Sequence, residues 1–228
     1  MSDHLHSLPV PLCEFREHLR ALRVARVAHW LRYFAVNPWN ILEYGCGAGD
    51  ASEVLANTFA FCERLGVDKH GAAIGFGHDH HREAFRFLEL RDYWPARDRH
   101  LVYCEHVFQQ LAPVERERAL GVITDALRPG GLLVIWEHNP RRCAEADLKP
   151  KELKALLQRF HLVPLRCEYH FMAKRTPKWL KPVDTLLGDL PWGHEFMLLA
   201  HRDGFLDDDP TELRYAWRAR DPSGELFL

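Results

Sequence analysis

No stretch of this sequence stays apolar for more than a few residues, which excludes a membrane-crossing helix, since that needs about 20. Met1–Pro11 lacks a cationic start followed by an apolar run, so no secretory leader is expected. The six cysteines (Cys13, Cys46, Cys62, Cys104, Cys143 and Cys167) are scattered, and no two stand close enough for a metal knuckle or a redox pair. Reduced thiols in a cytoplasmic protein are the expectation. Charge of one sign is scarce too: a net charge of -2 gives no global attraction to nucleic acid or an anionic membrane. Internal repeats and low-complexity linkers are absent. The chain does have 47% apolar and 27% charged residues, the balance of a folded globular protein. Its 228 residues suit one α/β domain better than two.

Periodicity supplies the elements. Residues 14–35 carry Phe15, Leu19, Leu22, Val27, Trp30, Leu31 and Phe34 at helical spacing. A short apolar run, Asn40–Tyr44, leads into a glycine-rich turn and a second helix, with Asp50 and Glu53 spaced for a capping box. Further strands are expected at 63–68, 85–90, 101–104 and 132–136. The last is a continuous apolar run suited to burial on both faces. Pro113 opens a helix over 113–127 that ends at Arg128-Pro129-Gly130-Gly131. Strands alternating with helices predict a parallel, doubly wound sheet. After a helix at 151–160 the pattern changes. Runs at 161–171 and 193–201 flank a Pro-rich connection and predict an antiparallel edge hairpin with a helical excursion. Leu213, Tyr215 and Trp217 alternate within 203–228, as an extra strand would.

Ligands of open α/β sheets bind beyond the carboxyl ends of the strands, at the topological switch point. The first strand ends here in Glu43-Tyr44-Gly45-Cys46-Gly47-Ala48-Gly49. A dinucleotide-binding turn would place its third glycine at position 50, but position 50 is Asp and the glycine stands at 49. That spacing argues against a pyrophosphate cradle. The segment Glu43-x-Gly45-x-Gly47-x-Gly49 resembles the first motif of the class I S-adenosylmethionine-dependent methyltransferases. Asp68 closes the second strand where that family places a carboxylate on the cofactor ribose. Leu101–Leu111, Leu127–Ile135 and Leu190–Leu199 are similar to the family's fourth, fifth and final strands, in the right order. Tyr44, where an aliphatic residue is usual, and His100, where Asp is common, depart from the pattern.

The resemblance implies a Rossmann-like methyltransferase fold: one seven-stranded, mostly parallel sheet with an antiparallel C-terminal hairpin and an N-terminal helix. It also implies a methyltransferase domain over 1–204, with a helical cap at about 12–36, a core at about 38–202 and an extension at 205–228. S-adenosyl-L-methionine is the implied cofactor. Gly45, Gly47 and Gly49 would line its amino-acid end, with Glu43 organising the loop or contacting the ammonium, and Tyr44, Lys69 and Glu105 nearby. Asp68 would accept the ribose hydroxyls, because a carboxylate suits two neighbouring donors. Asp92 is the choice for the adenine amino group, with Tyr93 beside the ring and Glu89 as its rival.

Methyl transfer is an in-line displacement, so the protein must align the acceptor and, where needed, remove its proton. His106 is the first choice for a base, His138 the second, and Glu105 and Glu137 should face the same cleft. Glu105, Glu137 and Asn139 could imitate a metal-dependent site, but no metal is expected. His78-Asp79-His80-His81 reads better as a solvated helix start than as a ligand set. Residues 141–181 hold 11 Lys or Arg against four acids, and 203–228 hold three against seven, most simply a solvated face balanced by the tail. The expected partner is a small-molecule acceptor methylated on O or N; nucleic acid is disfavoured and a homodimer is admitted but not specified. The alternatives are an RNA or protein methyltransferase, or a non-catalytic cofactor-binding module of the same fold.

Overall fold

The computed structural model describes residues 10–34, 36–81, 85–143, 147–170 and 193–203. The chain runs α1 (Val10–Tyr33), β1 (Asn40–Tyr44), α2 (Asp50–Thr58), β2 (Glu63–Asp68), α3 (Gly71–His81), β3 (Arg86–Glu89), β4 (Arg99–Glu105), α4 (Pro113–Ala126), β5 (Leu127–His138), α5 (Pro150–Arg159), β6 (Leu162–His170) and β7 (Glu195–Arg202). Single turns of tighter helix follow β3, at Leu90–Asp92, and β4, at Phe108–Gln110.

These strands form one seven-stranded sheet in the order β3-β2-β1-β4-β5-β7-β6. β7 is antiparallel to both neighbours, and the other pairings are parallel. Strand order reverses between β1 and β4, which opens the crevice of the switch point there. Successive residues of a strand face opposite sides. In β4, Leu101 and Tyr103 join the core beneath α1 and α2, while Val102 and Cys104 join the core beneath α4 and α5. Both faces are covered, so the central strands read as unbroken apolar runs.

Several local expectations are revised. The capping box at Asp50–Glu53 does not form. Gly49 occupies the cap position in the left-handed conformation, Asp50 already lies inside the helix, and its carboxylate pairs with Arg20 of α1 at 2.6 Å. α1 starts at Val10 rather than 14. β5 begins at Leu127, which pairs with Arg99, so it absorbs the Arg128–Gly131 turn as an irregular stretch ahead of the regular pairing from Leu132. His78–His81 ends α3 rather than starting a helix, and His80 stacks on Phe76. The hairpin of β6 and β7 is present. The helical excursion between them, the extra strand after 203 and the extension from 205 lie outside the described residues. No described helix is long and apolar enough to cross a membrane.

Candidate active site

The glycine turn leaves β1 and folds back on β2. Gly45 and Cys46 donate their N–H groups to Val67 O at 2.8 and 3.1 Å. Gly45 and Gly47 are left-handed, at φ 76° and 54°. A Cβ at Gly45 would overlap Val107 Cγ2, so only glycine lets the loop after β4 approach this closely. A Cβ at Gly47 would meet nothing within 4 Å, so this backbone faces open space. Asp68, at the end of β2, accepts the Gly47 N–H at 2.9 Å and the His70 N–H at 2.9 Å. The turn and the strand carboxylate are therefore one unit.

Beside them lies a cavity of about 580 Å³, lined on this side by Tyr44, Gly45, Gly47, Asp68, Lys69 and His70, and beyond by Leu90, Glu105, His106 and Val107. Asp92 and Tyr93 are not among the lining residues. The tight turn after β3 sends the Asp92 side chain toward solvent beside Arg91, and Tyr93 is buried in the core. Glu89 pairs with Arg91 at 2.9 Å and packs against Gly71, again away from the cavity. The residue that this segment turns inward is the apolar Leu90. Glu43 is fully buried beneath the glycine turn, hydrogen-bonded to Ser52 of α2. Burial pushes its carboxyl up to about 8, against the opposing pull of the Ser52 hydroxyl.

The carboxyl ends of β4 and β5, with the start of β7, bring together His106, His138, Glu105 and Glu195. The two imidazole rings stack at 4.1 Å with planes 20° apart. His106 sits in the left-handed region at φ 55°, an uncommon conformation for a residue with a side chain. Its Nε2 lies 3.5 Å from Glu195 Oε1, and His138 Nδ1 lies 3.8 Å from the same oxygen. Arg23 of α1 donates Nε and Nη2 to the two oxygens of Glu195, at 2.9 and 2.5 Å, and Nη1 to Glu105 at 2.5 Å. Glu105 also accepts the Tyr103 hydroxyl at 2.7 Å. Burial alone would raise the Glu195 carboxyl, but the contacts from His106 and Arg23 outweigh it and hold it at about 2. Burial, followed by the neighbouring His106, lowers the pKa of His138.

His106, His138 and Glu195 each offer a ligand atom within 4.8 Å of the others. Nearly parallel stacked rings share no common in-plane point for one ion, and Arg23 already occupies both carboxylate oxygens. In this arrangement the three are packed around the Arg23–Glu195 ion pair. Glu137 and Asn139 do not join Glu105 as a ligand set. Glu137 is buried, accepts the Phe108 N–H at 2.7 Å and so pins the loop after β4, and burial lifts it to about 7. Asn139 donates to Gly193 O at 2.7 Å and accepts from Arg141 N at 3.1 Å.

Arg23 and Glu195 escaped the sequence reading. The signal for the first was Arg20, Arg23 and Arg26 at three-residue spacing along an otherwise apolar helix face. For the second it was an acid at the mouth of a final strand otherwise apolar at its start.

The methyltransferase-domain family matches residues 14–183. No curated protein gives a match. Among solved structures, magnesium protoporphyrin IX methyltransferase (ChlM) from Synechocystis PCC 6803 with bound S-adenosylmethionine is 17% identical, with a TM-score of 0.60 over 86% of each chain. An S-adenosylmethionine-dependent methyltransferase from Archaeoglobus fulgidus is 18% identical, with a TM-score of 0.56 over 80% of this chain and 94% of that one. The [4+2]-cyclase SpnF, at 15% identity and a TM-score of 0.57 over 73% and 76%, shares the fold as well. At these identities the structural likeness is one of fold; with the family match over most of its length, the chain belongs to the class I S-adenosylmethionine-dependent methyltransferases.

Proposed function

We propose that this enzyme methylates an oxygen or nitrogen of a small-molecule acceptor, with the cofactor held between the glycine turn and the loop after β4. The observation that carries this reading is the cavity of about 580 Å³ running from the glycine turn and Asp68 to Glu105 and His106. It is in the size range of a site for one small ligand. The residues fit the cofactor. The left-handed Gly47 gives a cradle free of side chains, and Asp68 keeps acceptor capacity beyond its two backbone bonds and its contact with His70 Nδ1 for ribose hydroxyls. Lys69 and Glu105 stand at the wall, and Leu90 and Val107 supply apolar surface for a base. S-adenosylmethionine, when bound, supplies an electrophilic methyl group on a sulfonium.

The small-molecule reading is supported by the recession of the cavity floor, where the side chains of Glu105 and His106 are 12% and 20% exposed. Such a floor is reached by a compact acceptor more readily than by a protein or RNA surface. Several cations of the basic stretch are also already paired: Arg159 with Glu117, Arg166 with Glu168 and Lys149 with Glu152. Calorimetry with S-adenosylmethionine, S-adenosylhomocysteine and NAD is the direct test. Micromolar binding of the first two and none of NAD is expected, followed by transfer of tritiated methyl to members of a panel of phenols, alcohols and amines. Preferential NAD binding would overturn the cofactor assignment, and transfer confined to RNA or protein would overturn the acceptor class.

A further inference from the structure

The cavity does not end at Asp68. It runs on between Leu90 and α4, whose Glu115, Arg118, Ala119 and Val122 all line it. These positions follow one another at i, i+3, i+4 and i+7 and so share one helix face, while Arg116, Leu120 and Ile123 turn into the protein. With the amino-acid end of the cofactor at the glycine turn and its ribose at Asp68, the base would occupy this α4 lobe. Leu90, Leu111, Ala119 and Val122 give the lobe apolar walls. A flat base in such a slot is oriented by the few polar groups that face it, and the amino group of adenine needs an acceptor. The segment after β3 supplies none, because Glu89 and Asp92 turn to Arg91 outside the cavity and Leu90 is the residue turned in.

Four carboxylate or amide side chains line the cavity: Asp68, Glu105, Gln110 and Glu115. Asp68 belongs to the ribose. Glu105 is held at the end of β4 by Arg23 and the Tyr103 hydroxyl. The Gln110 amide is tied back to the same strand end, donating Nε2 to His106 O at 2.5 Å. Glu115 stands apart from these, on the α4 face. Its Oε2 accepts the Ala112 N–H at 2.9 Å, which fixes the carboxylate at the start of the helix. Its Oε1 has no partner among the described residues, and none of their cations pairs with it. We propose that Glu115 is the residue that reads the base, accepting the 6-amino group of adenine on Oε1 from the α4 side of the cavity. The inference rests on the cofactor reading above. It moves recognition of the base from the segment after β3 to a helix that the sequence gave no part in the site.

Calorimetry on the full chain with S-adenosylhomocysteine, and with its analogue carrying hydrogen in place of the 6-amino group, isolates this contact. The wild type should bind the analogue about 10-fold more weakly, the loss of one hydrogen bond to a charged acceptor. Glu115→Ala should bring that ratio to within about twofold by weakening only the amino-bearing ligand, whereas a change that merely loosened the start of α4 would weaken both alike. Asp92→Asn and Gln110→Ala should keep the wild-type ratio. Glu115→Asp keeps a charge at the helix start but draws it back by one methylene; it should lower the ratio too, and it carries the test if the alanine variant does not fold. A wild type that binds both ligands equally would overturn the assignment. So would a ratio that survives in the Glu115 variants, or one that collapses in Asp92→Asn or Gln110→Ala. A wild type that binds neither ligand sinks the cofactor reading and this inference with it, so the two failures are told apart.

Discussion

Arg23 grips Glu195 through two parallel hydrogen bonds and uses its remaining terminal nitrogen on Glu105, so one guanidinium from α1 ties the ends of β7 and β4 together. All three side chains are largely buried. A pair of this kind contributes little beyond its own desolvation cost when intact, yet breaking it leaves charge stranded.

Replacing Arg23 by Met should therefore strand two recessed carboxylates and cost about 3–5 kcal/mol of folding stability. Urea unfolding of wild type and variant measures this. A loss below about 1 kcal/mol would show that water reaches the pair freely.

The buried acids give stability a defined pH dependence. Glu195 and Glu168 are held at about 2 in the fold, below their ordinary value of 4.5, so their contribution is complete above 4.5 and is lost as pH falls from there toward 2. Glu43 and Glu137 are raised, to about 8 and about 7, so the folded state keeps protons that the unfolded chain has released. Stability should fall as pH rises from 4.5 to 8, by up to about 1.4 kcal/mol per pH unit for each group. Glu43→Gln should flatten that decline in Tm measured across pH 5–8. An unchanged slope would place the Glu43 proton elsewhere.

The two glycines of the turn should differ on substitution. Gly45→Ala brings both a left-handed alanine and a clash with Val107, whereas Gly47→Ala brings the backbone cost alone, about 1–2 kcal/mol. Calorimetry should show cofactor binding weakened at least ~10-fold by Gly45→Ala, through displacement of the loop carrying Val107. Thermal melting should show a smaller loss for Gly47→Ala than for Gly45→Ala, and equal losses would mean that the loop after β4 yields easily.

Asp68→Ala removes the acceptor of the Gly47 N–H and the proposed acceptor of the ribose hydroxyls. Cofactor dissociation should rise about 10- to 150-fold, corresponding to roughly 1.5–3 kcal/mol. An unchanged constant in a folded variant would move the ribose contact to another residue.

Much of the fold was legible because burial on both sheet faces imposes continuous apolar runs, and Gly45, Gly47 and Gly49 mark a turn that little else explains. The Asp50 capping box was not legible, since the acid-x-x-Glu spacing is the same whether Asp50 caps the helix or lies just inside it. Gly49 took the cap because it adopts positive φ without strain. Asp92 was assigned on residue type, but a tight turn of three residues rotates the chain by amounts that a linear reading cannot track. It turned Leu90 inward instead.

The sequence by itself determined the alternation of elements, the glycine turn and its strand carboxylate Asp68, because these depend on neighbours along the chain and on backbone conformations open to few residues. Only the tertiary structure decided which side chains meet at the strand ends. Glu195 and Arg23 stand 172 positions apart, and their contact depends on β7 inserting between β5 and β6 while α1 lies over the sheet. The two histidines likewise stand at the ends of different strands, and only the sheet brings their rings into a stack. Hydrogen bonding falls off within fractions of an ångström, so it is fixed by packing distances that no spacing of letters encodes.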